Sequence, residues 1–227
     1  MIVRVWRRAC ESGRGAVLVA AAEEEIAAAV RAAGGDAVLT DPDLLSGTDR
    51  VAQAAGLRDP QRRFGFIVNL QGDLPAIEPA AIAACLAPLA DPQVDIATLA
   101  SEIHDPEEAA NLNVVKAIAD LGGDRPVAMA KDFRRDIDSA GEGPHWHHIG
   151  IYAFRRAALE RFVLLAPSER ESARRLEQMR ALDAGMRIAV ARVDTAPFGV
   201  DTPADLERAR AAFKPAATAA PGRRKSP

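Results

Sequence analysis

Two aspartates in this sequence stand where a carboxylate could bind a divalent cation. Asp73 follows the most apolar predicted strand through a Gln-Gly turn. A carboxylate held at the carboxyl end of such a strand can bind a cation beside phosphate groups. Asp201, in the segment Gly199-Val200-Asp201-Thr202-Pro203, could supply a second one. Both also have a structural interpretation, because aspartates cap turns and helix N-termini.

The histidine cluster is a second candidate for chemistry. His145, His147 and His148 lie beside a predicted strand at Ile149. No cysteine is near them, and their spacing fits no standard zinc site. Residues of a strand alternate between its two faces, so His147 and His148 cannot both enter one site. A single inward histidine that contacts a polar or acidic substrate stands beside the alternative of a structural histidine.

Glu177 and Gln178 lie on a predicted helix with several arginines. Their residue types alone favour a solvated, salt-bridged helix face. Their spacing gives no reason to assign them to a binding site.

The composition excludes several classes of function. Lys and Arg total 29 and Asp and Glu total 32, a net charge of −3, which is not the basic surface of a nucleic-acid binder. The sequence contains no GxGxxG, GxxxxGK[ST] or GxSxG motif, which counts against a dinucleotide dehydrogenase, a P-loop ATPase and an α/β-hydrolase. Its two cysteines cannot form a disulfide framework, and no apolar run could span a bilayer. We therefore expect a cytoplasmic protein without nucleic-acid or membrane partners.

The first half of the chain alternates between predicted strands and helices. Strands are predicted at 16–20, 37–39, 66–70 and 94–99, and helices at 2–9, 23–33, 46–55 and 79–89. This alternation indicates βαβ units, a parallel sheet and helices on both of its faces. Ligands of such sheets bind beyond the carboxyl ends of the strands, where Asp73 stands.

The second half is less regular. Strands are predicted at 114–118, 149–154 and 187–193, and helices at 155–165 and 169–184, with a last helix capped by 201–203. We expect a loop or lid at 124–143 and a disordered tail at 214–227, which leaves 1–213 as one domain.

In chain order, these segments resemble those of the CMP-KDO synthetases, the 3-deoxy-manno-octulosonate (KDO) cytidylyltransferases. The resemblance begins with the helix around Arg7 and Arg8 and ends near the C-terminus. The other matching segments are Ser46-Gly47-Thr48-Asp49-Arg50, Val68-Asn69-Leu70-Gln71-Gly72-Asp73-Leu74-Pro75, Asn113-Val114-Val115-Lys116, His148-Ile149-Gly150-Ile151-Tyr152, Leu176-Glu177-Gln178-Met179-Arg180 and Gly199-Val200-Asp201-Thr202-Pro203. Seven segments in the correct order make the resemblance specific.

The resemblance implies a Rossmann-like α/β nucleotidyltransferase fold. Such a fold has a mostly parallel sheet, helices on both faces and a smaller part for sugar binding and dimerisation. It implies a homodimer that transfers CMP from CTP to KDO, releasing pyrophosphate, in lipopolysaccharide precursor synthesis. A cytidylyltransferase for a related 2-keto sugar acid, such as sialic acid or 8-amino KDO, is one alternative. A sugar-binding paralogue without catalytic activity is another.

Residue roles follow from the same resemblance. Asp73 and Asp201 would be catalytic and would hold Mg²⁺. The nucleotide would be bound by Ser46, Thr48, Arg50 and Gln71. The sugar would be bound by Gln71, His148, Tyr152, Glu177 and Gln178.

The resemblance also has departures. The family begins with a strand and a phosphate-binding loop, whereas the matching residues here start after that loop. The family's acidic residue is replaced by Leu74. We therefore expect the chain as written to bind the triphosphate poorly and to have impaired activity.

Overall fold

The computed structural model describes residues 1–136, 143–200 and 202–213. The α-helices are α1 (Ile2–Glu11), α2 (Glu24–Ala32), α3 (Gly47–Arg58), α4 (Pro79–Leu86), α5 (Pro106–Ala110), α6 (Arg156–Phe162), α7 (Glu169–Arg174), α8 (Gln178–Asp183) and α9 (Pro203–Ala212). A 3₁₀ turn, Ala87–Ala90, extends α4. The strands are β1 (Leu18–Ala21), β2 (Asp36–Leu39), β3 (Phe66–Leu70), β4 (Ile96–Ile103), β5 (Lys116–Ala119), β6 (Val127–Arg134), β7 (His145–Arg155) and β8 (Ile188–Val193).

The strands form two sheets. Strands β1 and β2 make a parallel pair, and the other six have the order β3-β7-β4-β8-β6-β5. In the larger sheet β4 and β8 are parallel, whereas the other neighbouring pairs are antiparallel. The sheet is thus more mixed than helix–strand alternation predicts, because the long strand β7 inserts antiparallel between β3 and β4.

Helices cover both faces of the larger sheet, as expected for an α/β fold. Alternate residues of β4 belong to different apolar clusters, since successive side chains of a strand point to opposite faces. Ile96 and Ala100 pack with residues of α6 and α8. Ala97 and Leu99 pack with residues of α4.

The parallel pair β1–β2 has a small core of its own. Val19, Ala21, Ala27, Val30 and Ala37 form it, covered by apolar residues of α1. Helix α3 contacts both β1 and β3 and so connects the two sheets. Among the residues that the structure describes, β1 pairs with no strand besides β2, and β3 pairs with none besides β7.

Several helix boundaries confirm the sequence prediction. Ser46 is the N-cap of α3 and accepts a hydrogen bond from the backbone N–H of Asp49. At the start of α9, Thr202 and Asp205 form a capping box, with Pro203 in the first turn. The cap is therefore Thr202, which corrects the interpretation of Asp201 as the capping residue. Asp201 itself lies outside the described residues, as does the predicted tail 214–227.

Two predictions of local structure are wrong. The helix predicted at 169–184 is two short helices, because Arg175 adopts a left-handed conformation (φ 55°) between them. The segment 124–143 is predicted as a loop, yet its described part contains the strand β6, which pairs with β5 and β8, while residues 137–142 lie outside the described residues. Within the described residues, no helix combines the length and the apolar character needed to cross a bilayer.

Candidate active site

The turn after β3 carries Asp73 and is held by distant parts of the chain. The backbone N–H of Val200 donates a 2.9 Å hydrogen bond to the carbonyl oxygen of Asp73. From the other direction, Nε of Arg4 in α1 donates to the carbonyl oxygen of Pro75 at 3.1 Å. The chain that precedes Asp201 therefore lies against Asp73, although the side chain of Asp201 is outside the described residues. Within the described part of the chain, no three His, Cys, Asp or Glu side chains form a metal-binding group.

The first turn of α3 presents the predicted nucleotide-binding residues. The hydroxyl of Ser46 caps this helix and donates to the Asp49 carboxylate at 2.9 Å. Nη1 of Arg50 donates to Oγ1 of Thr40 at 2.7 Å and to the carbonyl oxygen of Asp41 at 3.0 Å. Arg50 thus fixes the loop after β2 against α3.

Thr48 connects this helix to the predicted sugar-binding segment. Its side chain is buried, and its hydroxyl donates to Oε2 of Glu177 at 2.8 Å. Oγ1 of Thr48 also accepts from Nδ2 of Asn69 at 3.1 Å, and Oδ1 of Asn69 accepts from Nε2 of Gln71 at 2.9 Å. Three of the matching segments therefore meet through one row of hydrogen bonds. Sequence analysis missed Asn69, for which the signal was a polar residue within an apolar strand.

The break between α7 and α8 positions Glu177 and Gln178. A capping box formed by Ser168 and Glu171 begins α7, and the left-handed Arg175 ends it. The Arg180 guanidinium then donates to both carboxylate oxygens of Glu171, at 2.8 and 2.6 Å, which fixes α8 against α7. The interpretation of Glu177 and Gln178 as a solvated helix face is therefore wrong, because they occupy the start of a second helix packed on the core.

Two polar atoms of this segment are buried without a partner. Oε1 of Glu177 and Nε2 of Gln178 have no hydrogen-bond partner among the described residues. Such atoms are costly unless a ligand or water satisfies them. Glu177 and Gln178 line a cavity of about 10 Å³ together with Thr48, Tyr152 and apolar side chains of the core. A space of this size holds about one water molecule.

An irregularity in β7 brings His148 and Tyr152 together. The pairing of β4 with β7 changes register between Thr98 and Leu99, so that residues 150 and 151 are bulged. The rings of His148 and Tyr152, on either side of this bulge, have centroids 5.5 Å apart. Two predicted sugar-binding side chains therefore lie at one place.

Burial keeps both rings uncharged. It lowers the pKa of His148 to about 3, with a smaller contribution from His147. It also raises the pKa of the Tyr152 phenol, and the nearby Glu177 carboxylate acts in the same direction. Nε2 of His148 lies 3.0 Å from Oγ1 of Thr98, whose hydroxyl is also within hydrogen-bond distance of two β7 carbonyl oxygens. His148 is thus a neutral hydrogen-bonding group rather than a cation.

Other polar residues named by the motifs serve the fold. Lys116 is fully buried, and its Nζ donates to the carbonyl oxygens of Asn111 and Arg135, at 2.7 and 2.9 Å. His147 points away from His148 and lies 2.6 Å from the Glu108 carboxylate. The prediction that only one of the two histidines points inward is confirmed.

Comparison with known proteins agrees with this geometry. The profile of a family described as "Cytidylyltransferase" matches residues 1–188. The 3-deoxy-manno-octulosonate cytidylyltransferase of Paramagnetospirillum magneticum is 56% identical over 214 residues, which are 94% of this chain and 87% of that protein. The chain belongs to the 3-deoxy-manno-octulosonate cytidylyltransferase family. It is a nucleotidyltransferase.

Other relatives of this cytidylyltransferase agree. The Parvibaculum lavamentivorans protein of the same name is 59% identical, over 94% of this chain and 82% of that protein. A solved CMP:2-keto-3-deoxy-manno-octonic acid synthetase in complex with CTP is 35% identical, with a TM-score of 0.80 over 93% of this chain and 86% of that one. A nucleotidyl transferase of Methanothermobacter, 12% identical with a TM-score of 0.57 over 94% of this chain and 80% of its own, shares the fold.

Proposed function

We propose that this cytidylyltransferase transfers CMP from CTP to the anomeric hydroxyl of KDO, as a step in lipopolysaccharide precursor synthesis. The hydroxyl oxygen would bond to the α-phosphorus, the bond to the β-phosphate would break, and pyrophosphate would leave. The observation that carries this proposal is the pair of unpartnered buried atoms on Glu177 and Gln178. One is an acceptor and the other a donor, and a polyhydroxylated acid offers partners for both.

The sugar pocket in this proposal discriminates by hydrogen bonds. Oε1 of Glu177 accepts from a sugar hydroxyl, and Nε2 of Gln178 donates to a sugar oxygen. His148 and Tyr152, which burial keeps neutral, add polar contacts without competing charge. A ligand that lacks one of these partners leaves a buried group unpaired, which penalises it strongly.

Asp73 and Asp201 are the residues that would hold Mg²⁺. Carboxylate oxygens are the ligands that this cation prefers, and Val200, next to Asp201 in sequence, donates to the backbone of Asp73, so the chemistry of the two residues fits the cation. When bound, Mg²⁺ would stabilise the negative charge that develops on the phosphates. Ser46, Thr48 and Arg50 belong to the proposed nucleotide side, and Gln71 belongs to both the nucleotide side and the sugar side. We further propose a cytoplasmic homodimer without nucleic-acid partners.

The substrate is tested with Gln178→Ala. Calorimetry should show that the variant loses at least tenfold in KDO affinity while it binds CTP as the wild type does. The loss of one hydrogen bond to a buried group is worth about that much. Gln93→Ala, at an exposed glutamine that contacts Arg187, is the matched control and should change neither affinity.

Three outcomes would contradict the proposal. Equal losses for both ligands would show that Gln178 serves the fold. Tighter binding of sialic acid or 8-amino KDO than of KDO would change the substrate. Binding of sugar without pyrophosphate release, in the presence of CTP and Mg²⁺, would indicate a protein without catalytic activity.

A further inference from the structure

The hydrogen bonds that link Glu177 to Gln71 form a row with a direction. Thr48 donates to Glu177 at 2.8 Å, Asn69 donates to Thr48 at 3.1 Å, and Gln71 donates to Asn69 at 2.9 Å. Thr48 and Asn69 are 1% and 2% exposed, so water does not compete for these bonds. We call these four residues the Glu177–Gln71 row.

The chemistry of the first member dictates the orientation of all the others. Oε2 of Glu177 accepts from Thr48, so the single hydroxyl proton of Thr48 points at Glu177. The oxygen of Thr48 can then only accept, which requires Asn69 to present its NH₂ group there. Asn69 then has its carbonyl oxygen toward Gln71, and Gln71 must donate to that oxygen from its own NH₂ group. Each amide has one permitted orientation.

The last member, Gln71, is one of the residues that the proposed function assigns to the substrate. One N–H of its NH₂ group is bonded to Asn69, so Gln71 has its carbonyl oxygen Oε1 and one further N–H left to offer. The amide of Gln71 also packs closely against Gly47. A Cβ added at position 47 would lie 3.0 Å from Nε2 and 3.1 Å from Oε1 of Gln71. The side chain is therefore fixed both in place and in polarity.

We propose that Glu177, acting through Thr48 and Asn69, fixes the orientation of the Gln71 amide, so that its carbonyl oxygen Oε1 accepts from a hydroxyl or amino group of the bound substrate. Thr48 and Asn69 are positioning residues, and Gln71 is the residue that determines specificity. The identity of the substrate rests on the proposed function, whereas the direction of the row does not. A substrate that places an ether or carbonyl oxygen at Oε1 meets a second acceptor there and binds more weakly.

The direction can be tested by reversing the row. In Gln71→Glu, a carboxylate faces the carbonyl oxygen of Asn69, and the conflict should lower the urea midpoint of unfolding. In Glu177→Gln, the new amide can donate to Thr48, so that Thr48 donates to Asn69 and Asn69 donates to residue 71. The factor by which Gln71→Glu lowers the folding equilibrium constant should therefore be at least tenfold smaller in the Glu177→Gln background than in the wild type. Unfolding is measured without substrate, so a failure of the proposed function does not affect this readout.

Repulsion between two carboxylates would produce a similar coupling, and Thr48 separates the two explanations. Thr48→Val removes the hydroxyl through which the row passes. The effects of Gln71→Glu on the folding equilibrium constant in the two backgrounds should then agree within twofold, whereas direct repulsion would keep them different. Asn69→Ala breaks the next link and serves the same purpose if Thr48→Val does not fold. Gln53→Glu is the matched control on α3, because Gln53 contacts the backbone of Asp41 and not the row.

The binding readout uses KDO and its O-methyl ethers in calorimetry. Wild-type protein should reject at least one ether by tenfold or more, and the Gln71→Leu variant should lose that discrimination. Two results would overturn the proposal. One is a coupling that survives both Thr48→Val and Asn69→Ala, and the other is an equal effect of Gln71→Glu in both backgrounds.

Discussion

The backbone N–H of Val200 donates a 2.9 Å hydrogen bond to the carbonyl oxygen of Asp73. It joins the turn after β3 to the segment that precedes α9. The described residue before Asp201 is thus held against Asp73 by a backbone contact, whereas Asp201 itself lies outside the described residues.

The first prediction concerns that pair of carboxylates. Asp73→Asn and Asp201→Asn should each weaken Mg²⁺ binding on the order of 100-fold, because each removes one charged oxygen ligand. The double variant should be little worse than either single one if both hold the same ion. Mg²⁺ titrations of the CTP complex measure this, with Asp43→Asn, at an exposed aspartate in the loop after β2, as control. Fully additive losses would mean that the two residues act at separate sites.

The second prediction concerns pH and His148. Its pKa is about 3 in the folded protein and about 6.5 in the unfolded chain, so the unfolded chain binds more protons between these values. The contribution of neutral His148 to stability is present above pH 6.5 and is lost as the pH falls toward 3. We expect a loss of about 2 kcal/mol between pH 6.5 and pH 5.

Urea unfolding at several pH values checks this slope. His148→Gln should flatten it between pH 6.5 and pH 5, because glutamine has no proton to gain. His104→Gln, at an exposed histidine, should leave it unchanged. An identical slope in wild type and His148→Gln would assign the pH dependence to other groups.

The third prediction separates binding from stability at two glycines of α3. Gly47→Ala would place a Cβ against the Gln71 amide, so substrate affinity should fall about tenfold with little change in stability. Gly56→Ala meets no atom within 4 Å and should stabilise the protein by about 0.5–1 kcal/mol without changing affinity. Calorimetry and chemical unfolding measure the two quantities. Unchanged affinity in Gly47→Ala would show that the Gln71 side chain moves freely.

The fourth prediction concerns the backbone between α7 and α8. Arg175 has φ 55° and ψ 48°, a left-handed conformation in which a Cβ costs about 1 kcal/mol. Arg175→Gly should therefore leave the protein as stable as the wild type or stabilise it by roughly 0.5 kcal/mol. Ser172→Gly, in the exposed interior of α7, should destabilise it by about the same amount. A loss of stability in Arg175→Gly larger than in Ser172→Gly would show that the Arg175 side chain contributes contacts of its own.

Local signals predicted the parts of the fold that depend on neighbouring residues. The cap at Ser46, the proline that begins α9 and the alternation of His147 and His148 all follow from short-range rules. The break at Arg175 has no such signal, since neither glycine nor proline marks it. It is imposed by packing, because Leu176 and Met179 on either side of Glu177 are buried in the core.

The candidate site shows the same division. The resemblance in motif order predicted Gln71, Glu177 and Gln178 as site residues, but not the way in which they are connected. Asn69 escaped notice because its function exists only once β3 and α3 lie side by side. Likewise, His148 and Tyr152 lie on either side of a bulge in β7, and Gly150 is the one residue in the sequence there that indicates an irregular strand.

The hydrogen bond between Thr48 and Glu177 joins residues 129 positions apart. Contacts of such long sequence separation form late, because the chain between them must be ordered first. Helices and hairpins can form while the site is still open, so a partly folded molecule can have most of its secondary structure and no substrate pocket. During refolding, recovery of ligand binding should therefore lag behind the recovery of helical circular dichroism.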